Sequence, residues 1–246
     1  MKKLFLLLGC LVLNSACQSV SATTQAEPAP TNVFTPQPSA TIPPTSTSAP
    51  TSTPTPAPLF FTDDFNADNG AWASFQTGGA KLPIARFDGG LLKISFSTAH
   101  TWYYAVRNPY DYADVFVRAK FSGAPAGSLG VLCRYDESKG WYEFNAASDG
   151  AYSILFGQWL AEGIAQYTPI AIDDSPYLKK GVLDYEIGLL CKENSLMPYI
   201  NGKLFRKLDV TRFGLSDGKI GVSASSFDDL PLTAAFDWFK AEEPVE

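Results

Sequence analysis

The residues best suited to chemistry lie between Gly127 and Gly157, on successive runs in which apolar residues recur at every second position. Arg134 ends the first run, and Trp141, Glu143 and Asn145 take alternate positions on the second. If the apolar positions face a core, these four side chains share the opposite face, with a guanidinium over an indole. A sugar can stack its apolar face on such a surface while the polar side chains bind its hydroxyl groups. The pattern therefore predicts a carbohydrate-binding face.

Two more aromatic residues could extend this face. Trp102 and Tyr104 alternate on the run from Thr101 to Arg107. The alternative is that all these aromatic side chains are ordinary sheet-stabilising pairs, or that they lie under the segment containing Trp159. The sequence leaves both alternatives open, because it does not show whether the Gln158 to Gly181 segment covers this face.

The elements that position these residues are three strands of a predicted β-meander. A period of two on successive segments indicates strands with one buried face. The inward set is Leu129, Val131, Cys133 and Tyr135 on the first strand, Tyr142, Phe144 and Ala146 on the second, and Tyr152, Ile154 and Phe156 on the third. Turns at Asp136 to Gly140 and at Ser148-Asp149-Gly150 join the strands.

The rest of the folded part also reads as short strands without an amphipathic helix. Further strands are predicted at 59–65, 82–87, 91–97, 101–107, 114–121, 182–191, 196–200, 203–208, 218–225 and 232–241, with a looser region at 158–181. Asn201-Gly202 is a strong hairpin signal. Pro198 predicts that its strand lies at an edge or is bulged. About a dozen strands predict an all-β, two-sheet antiparallel sandwich.

Two cysteines fall on inward positions of different strands. Cys133 lies in the meander, and Cys191 follows Leu189 at the apolar parity of its own strand. In an exported protein such a pair predicts a disulfide across the core. The alternative is two buried free thiols.

The amino terminus has the pattern of an export signal. Met1-Lys2-Lys3 precedes a short apolar stretch, and Leu13 to Cys17 partly matches a bacterial lipobox. We expect residues 1–17 to be a lipoprotein signal peptide and Cys17 to be the lipidation site, which would hold the exported protein at the outer face of a membrane or at the cell surface. Ordinary secretion or an uncleaved segment are the alternatives. Residues 18–58 are rich in Thr, Ser, Pro and Ala and are expected to form a disordered stalk.

Charge excludes one class of partner. The formal net charge is -6, and the lysines and arginines are scattered. A nucleic-acid-binding surface would need a basic stripe to neutralise phosphates. We therefore expect no nucleic-acid partner. We also expect the protein to be a monomer.

Five blocks of the sequence, in order, resemble the concanavalin A-like lectin and glucanase jelly roll, in particular its laminin-G-like and 3-keto-disaccharide-hydrolase-like bacterial modules. They are residues 63–72 (DDFNADNGAW), 130–154 (GVLCRYDESKGWYEFNAASDGAYSI), 189–204 (LLCKENSLMPYINGKL), 217–225 (DGKIGVSAS) and 234–243 (AAFDWFKAEE). The resemblance implies a jelly-roll domain over residues 59–243. It also implies that the first and last strands lie side by side, where Asp64 and Asp237 could hold a structural calcium ion.

The resemblance does not imply catalytic activity. Laminarinase-type members keep two glutamates and an aspartate at alternating places on one strand, and no such string occurs here. Asp184 and Glu186 alternate on one strand and are the nearest approach. His100, the only histidine, lies in a predicted turn, and a Ser-His-Asp arrangement would have to be assembled by folding. We assign no catalytic residue and require no cofactor.

Together these features predict a cell-surface lipoprotein with a non-catalytic, lectin-like sandwich that binds a glycan or polysaccharide. The alternatives are a glycoside-processing enzyme on the same scaffold and a protein-binding adhesion module. The fold does not decide among them, because it carries all three functions.

Overall fold

The computed structural model describes residues 57–123, 126–182 and 184–244. The predicted signal peptide, Cys17 and nearly all of the predicted stalk lie outside these residues. Within the described part, no helix has the length and apolar character needed to cross a membrane.

Two antiparallel sheets form the sandwich, which confirms the predicted all-β jelly-roll fold. The nine-stranded sheet contains β1 (Phe61–Asp63), β3 (Ile84–Phe87), β4 (Leu92–Phe96), β6 (Val115–Gly123), β11 (Asp184–Lys192), β12 (Ser195–Ile200), β13 (Lys203–Leu204), β14 (Leu208–Asp209) and β16 (Leu232–Glu242). The seven-stranded sheet contains β2 (Trp72–Gly78), β5 (Thr101–Arg107), β7 (Ser128–Asp136), β8 (Gly140–Ala147), β9 (Ala151–Ala161), β10 (Ile164–Asp174) and β15 (Lys219–Ser226).

The order of the strands places the meander in one half of the smaller sheet. That sheet runs β10-β9-β8-β7-β15-β5-β2, and the larger one runs β13-β12-β11-β6-β16-β4-β3, with β1 also beside β16 and β14 also beside β12. A 3-10 turn, Thr211–Phe213, precedes β15. The strand β12 has β11 along one side and only the two-residue strands β13 and β14 along the other, which leave a gap at Pro198.

The core lies between the two sheets and follows the predicted parity. Val131, Cys133, Tyr142 and Phe144 point inward from β7 and β8 and are fully buried. The predicted disulfide is confirmed: Cys133 is bonded to Cys191 on β11 of the opposite sheet, with the two Cα atoms 6.8 Å apart. The bond therefore joins the two layers of the sandwich.

Parity fails at one position of the meander, because β7 contains a bulge. Arg134 has a φ of 54°, and the register between β7 and β8 shifts between Cys133 and Asp136. A bulge inserts an extra residue and reverses the side to which the following residues point. Tyr135, predicted to face inward, instead packs on the opposite face of the sheet, beside Trp141.

Three strand assignments differ from the sequence prediction. The strand predicted at 203–208 is divided into β13 and β14. No strand is predicted at 72–78, where β2 forms an edge of the seven-stranded sheet. The looser region at 158–181 contains the end of β9 and all of β10, which form a long hairpin. Asn201 and Gly202 both have positive φ, as a tight hairpin turn requires, and the predicted turn is confirmed.

Candidate functional site

The predicted carbohydrate-binding residues lie, with one exception, on the face of the seven-stranded sheet that points away from the core. Trp102 and Tyr104 come from β5, and Trp141, Glu143 and Asn145 come from β8. We call this face the concave face, because the two edges of the sheet curl toward each other across it. Sequence parity therefore places five of the six side chains on the predicted side.

Hydrogen bonds between the edges close the curl. The hydroxyl group of Tyr167 on β10 lies 2.5 Å from Oγ1 of Thr77 on β2. It also lies 2.9 Å from the hydroxyl group of Tyr104 on β5. Strands at opposite ends of the sheet order thus contact each other through side chains, and the middle of the concave face is enclosed.

Aromatic rings fill the enclosed part. The ring of Phe75 stacks on that of Tyr104 at 4.5 Å and on that of Tyr135 at 4.7 Å. The indole of Trp141 lies 5.4 Å from Phe75 and 5.3 Å from Trp159. Such ring pairs contribute about 0.5–1.5 kcal/mol each beyond the area that they bury.

Burial contradicts the predicted open platform. Tyr104, Trp141 and Glu143 have no exposed surface, and Asn145 is 7% exposed. The alternative interpretation, that these aromatic residues lie under the segment containing Trp159, describes the structure. The physical reason is the β9–β10 hairpin, whose side chains extend over β8.

A glycine on β9 makes room for the central indole. A Cβ atom at Gly157 would lie 2.4 Å from Cε2 of Trp141. Because Gly157 does not have a positive φ, the requirement here is space and not backbone conformation. The indole of Trp141 packs directly against the backbone of β9.

Arg134 is the exception among the predicted residues, because the bulge directs its side chain away from the concave face. Its Nε donates to the carbonyl oxygen of Ala113 at 2.9 Å, and its Nη1 donates to that of Leu215 at 2.8 Å. Its Nη2 lies 3.3 Å from Oδ1 of Asp114. The side chain is 1% exposed. The predicted stacking of Arg134 on Trp141 is wrong. Arg134 instead stabilises the segments that contain Ala113 and Leu215 by hydrogen bonds to their backbone.

Glu143 is a buried carboxyl group in the enclosed part. Nε1 of Trp141 donates to its Oε2 at 3.2 Å, while its Oε1 has no hydrogen-bond partner among the described residues. Burial raises the pKa of Glu143 to about 7, against the opposing effect of hydrogen bonds from Tyr104, Trp141 and Asn145. Asn145 accepts a hydrogen bond from the Ser223 hydroxyl group at 2.8 Å. The carboxyl group of Glu143 therefore lies in an environment that disfavours its charged form.

The concave face opens to solvent at both ends. At the β9–β10 turn a cleft of about 630 Å³ is lined by Phe75, Gln76, Tyr135, Glu137, Trp159 and the turn residues Leu160 to Gly163. We call it the aromatic cleft. At the opposite end, a cleft of about 240 Å³ is lined mainly by apolar groups, and Trp102 and Asn145 contribute to it. The structure thus brings two of the predicted residues together in an accessible place, away from the other four.

The sequence did not identify the aromatic cleft. Phe75 belongs to β2, which the sequence does not predict as a strand. The alternation predicts that Tyr135 faces the core, whereas it lies on the concave face. Trp159 belongs to the region read as loose. The usable signal was the alternation of Ala73, Phe75 and Thr77, which is typical of a strand.

The carboxylates proposed for calcium do not form a cluster. The first and last strands do pair, Asp63 opposite Phe239. Asp64 is exposed, and Asp237 accepts a hydrogen bond from Ser122 at 3.4 Å. In the described ranges no group of three or more His, Cys, Asp or Glu side chains is placed to hold a metal. Calcium takes six to eight oxygen ligands, so two carboxylates alone do not fit it, and the ion stays a prediction.

The weaker catalytic candidates, Asp184, Glu186 and His100, each lie beside a side chain that can carry the opposite charge. Asp184 forms an ion pair with Lys120, and Glu186 with Arg118, on the outer face of the nine-stranded sheet. His100 lies 3.1 Å from Asp228, and both side chains are largely exposed. None of these carboxylates lines either cleft of the concave face.

The chain matches no family model and no curated protein sequence. Solved structures share its fold. A galectin-like-fold protein from Bacillus subtilis has a TM-score of 0.57 at 13% identity, over 76% of this chain and 96% of that one. A β-glucanase from Bacillus licheniformis has a TM-score of 0.54 at 14% identity, over 75% and 98%.

A glycoside hydrolase family 16 endo-glucanase from Bacteroides ovatus has a TM-score of 0.53 at 12% identity, over 74% of this chain and 99% of that one. These similarities confirm the predicted concanavalin A-like jelly-roll fold. At such low identity they show the fold alone.

Proposed function

We propose that this domain is a non-catalytic carbohydrate-binding module, and that the aromatic cleft is its binding site. The observation that carries the proposal is the grouping of Phe75, Tyr135 and Trp159 around one open cleft with two carboxylates, Glu137 and Glu162. The neighbours of known activity include two glucan hydrolases of the same fold, which is consistent with a glycan ligand.

The cleft has the two features that sugar recognition requires. The indole of Trp159 is partly exposed at the cleft and offers flat apolar area at low conformational-entropy cost, and the CH face of a pyranose can lie on it. The carboxylate oxygens of Glu137 and Glu162 can accept hydrogen bonds from hydroxyl groups. The volume of about 630 Å³ lies within the range of small-ligand sites.

The concave face supports binding over hydrolysis. Retaining glycosidases need two carboxyl groups about 5–5.5 Å apart with access to the substrate. On β8 the alternate positions hold Trp141, Glu143 and Asn145, which supply one carboxyl group, and that group is fully buried. Strand β8 therefore does not present an accessible pair of carboxyl groups at the centre of the concave face.

We also propose that the domain acts at the cell surface. Acylation of Cys17 would anchor the chain to a membrane, and the stalk at residues 18–58 would hold the domain away from it. A glycan-binding module in that position would attach the protein to a polysaccharide in the extracellular medium or envelope.

Calorimetric titration with soluble oligosaccharides tests the proposal. The panel contains β-1,3-, β-1,4- and mixed-linkage glucan fragments, with xylan and mannan fragments beside them. Trp159→Ala should weaken binding at least tenfold, about 1.4 kcal/mol, because it removes one wall of the aromatic cleft. Tyr177→Ala removes an exposed aromatic side chain outside the cleft and is the matched control.

Three outcomes would refute this function. One is the absence of binding to any member of the panel. Another is equal binding by the wild type and Trp159→Ala. The third is release of smaller sugars from the oligosaccharides, which would make the protein an enzyme. Binding of a partner protein that sugars do not displace would instead favour the adhesion alternative.

A further inference from the structure

A second aromatic surface lies on the opposite side of the molecule, on the outer face of the nine-stranded sheet. Tyr199 on β12 packs against Phe116 on β6 at 4.8 Å. The guanidinium of Arg118, also on β6, lies 5.6 Å from the Phe116 ring and 5.9 Å from the Trp238 ring on β16. Lys240 lies 4.6 Å from the same indole. We call these five side chains the outer band.

The outer band is continuous and lies on one open face of the sheet. Its members lie on β12, β6 and β16, and β11 passes between β12 and β6. Four neighbouring strands span about 14 Å at the usual spacing of a sheet. Each of the five side chains is partly exposed. The band therefore presents rings and a guanidinium plane to solvent across four strands.

Gly188 on β11 leaves space at the centre of the band. A Cβ atom at this position would lie 2.8 Å from Cε2 of Phe116 and 3.1 Å from Cγ of Arg118. Gly188 is in the middle of a regular strand and does not have a positive φ, so backbone conformation does not require glycine there. The missing side chain gives Phe116 and Arg118 the space in which they lie against the sheet.

The charges around the band are compensated within it. Arg118 is paired with Glu186 and, at 3.0 Å, with Glu242. Lys120 on the same strand is paired with Asp184. With Lys240 these make three cations and three carboxylates, and Asp237, which accepts a hydrogen bond from Ser122 on β6, adds a fourth carboxylate, whereas the whole chain carries a net charge of -6. The band is thus nearly neutral on an acidic protein, and its polar groups can bind hydroxyl groups without selecting a charged partner.

From this balance and shape we infer that the outer band is a second glycan-binding surface, whose partner is an uncharged polysaccharide presented as a solid. A band on one open face of a sheet contacts only one side of a sugar chain. A free chain in solution would lose conformational entropy for that limited contact, whereas chains packed in a solid are already ordered. The aromatic cleft, in contrast, has walls and suits single soluble chains.

Retention of the full-length protein on insoluble polysaccharides tests the inference. The probes are microcrystalline cellulose, chitin and insoluble β-1,3-glucan as uncharged solids, with alginate beads as a charged one. Trp238→Ala and, separately, Tyr199→Ala should each reduce retention on an uncharged solid at least tenfold. Tyr177→Ala is the matched control, because Lys203 lies 5.5 Å from its ring in the same kind of pair outside the band. Thermal melting of each variant shows whether it is folded.

The two glycan surfaces are distinguishable in this design. Trp159→Ala should leave retention on the solid unchanged, and Trp238→Ala should leave the binding of soluble oligosaccharides unchanged. The inference is overturned if the wild type is retained on none of the uncharged solids, or if folded Trp238→Ala and Tyr199→Ala proteins are retained as well as the wild type. A preference for alginate, or binding to a protein partner through the band, would also overturn it.

Discussion

The buried carboxyl group of Glu143 predicts a specific dependence of stability on pH. It has no exposed surface, and one of its oxygen atoms has no hydrogen-bond partner among the described residues. Burial raises its pKa from the ordinary value of 4.5 to about 7. The folded protein therefore binds this proton more tightly than the unfolded chain does.

The sign follows from proton linkage. Between about pH 4.5 and pH 7 the folded state keeps the proton while the unfolded state has released it, so the free energy of unfolding falls as the pH rises. The stabilisation is fully present below the unfolded pKa and is lost as the pH passes the folded pKa. A gap of about 2.5 pH units between the two values corresponds to about 3 kcal/mol.

The other groups whose pKa is clearly shifted titrate outside this pH window. Hydrogen bonds from Ser138 lower the pKa of Asp136 to about 2, so its contribution is lost only in acid. Tyr104 and Tyr167 face Glu143, and burial raises the pKa of each phenol above its usual value of 10. The difference between the wild type and Glu143→Gln in the change of stability from pH 5 to pH 8 therefore reports on Glu143.

The assay is urea denaturation at pH 5 and pH 8, with the disulfide intact, of the wild type and of Glu143→Gln. Glutamine has nearly the same shape and does not ionise, so the variant should lose most of the pH dependence and exceed the wild type in stability at pH 8. If the wild type and Glu143→Gln lose the same stability between the two pH values, Glu143 does not titrate as described.

Two further predictions concern the scaffold. Replacing Cys133 and Cys191 together with alanine should lower the free energy of unfolding by about 4 kcal/mol in the chain-entropy model, since the bond spans 58 positions; a loss below 1 kcal/mol in urea denaturation would contradict it. Gly157→Ala should cost about 1–3 kcal/mol because its methyl group would overlap Trp141, and the cost should shrink in a Trp141→Leu background. Equal costs in both backgrounds would show that the indole is not the obstacle.

The period of two was sufficient to predict most of the sandwich. It places Val131 and Cys133 on one face and Trp141 and Glu143 on the other, and it puts Cys133 and Cys191 at inward positions, where they form the disulfide. These features depend on residues that are neighbours along one strand, or on cysteines whose chemistry is unambiguous. Local alternation is a direct consequence of strand geometry.

Parity failed where a single residue broke the alternation. Arg134 adopts a positive φ and forms the bulge, and nothing in its residue type signals this, because positive φ is typical of glycine or asparagine. The bulge changes the side of the sheet on which two predicted side chains lie. Arg134 points away from the concave face, and Tyr135 lies on it.

Enclosure of the concave face could not be predicted, because it depends on contacts between distant segments. Thr77 and Tyr167 are 90 residues apart, and they meet only when the seven-stranded sheet curls. Alternation shows to which side Trp141 points but contains no information on what covers that side. The sequence contains one indirect signal of the enclosure. Aromatic residues such as Phe75 and Trp159 occupy outward positions, which a solvent-exposed face does not require.

The filled concave face also limits what the fold can say about chemistry. In this sandwich the centre of that face is packed by Trp141 and Phe75, and the carboxyl group of Glu143 is fully buried there. Similarity to an endo-glucanase in backbone therefore gives no support to hydrolysis at this position. Among the described residues, a ligand can reach the ends of this face and the outer face of the other sheet, and partly exposed aromatic side chains lie at both places, around Trp159 and Trp238.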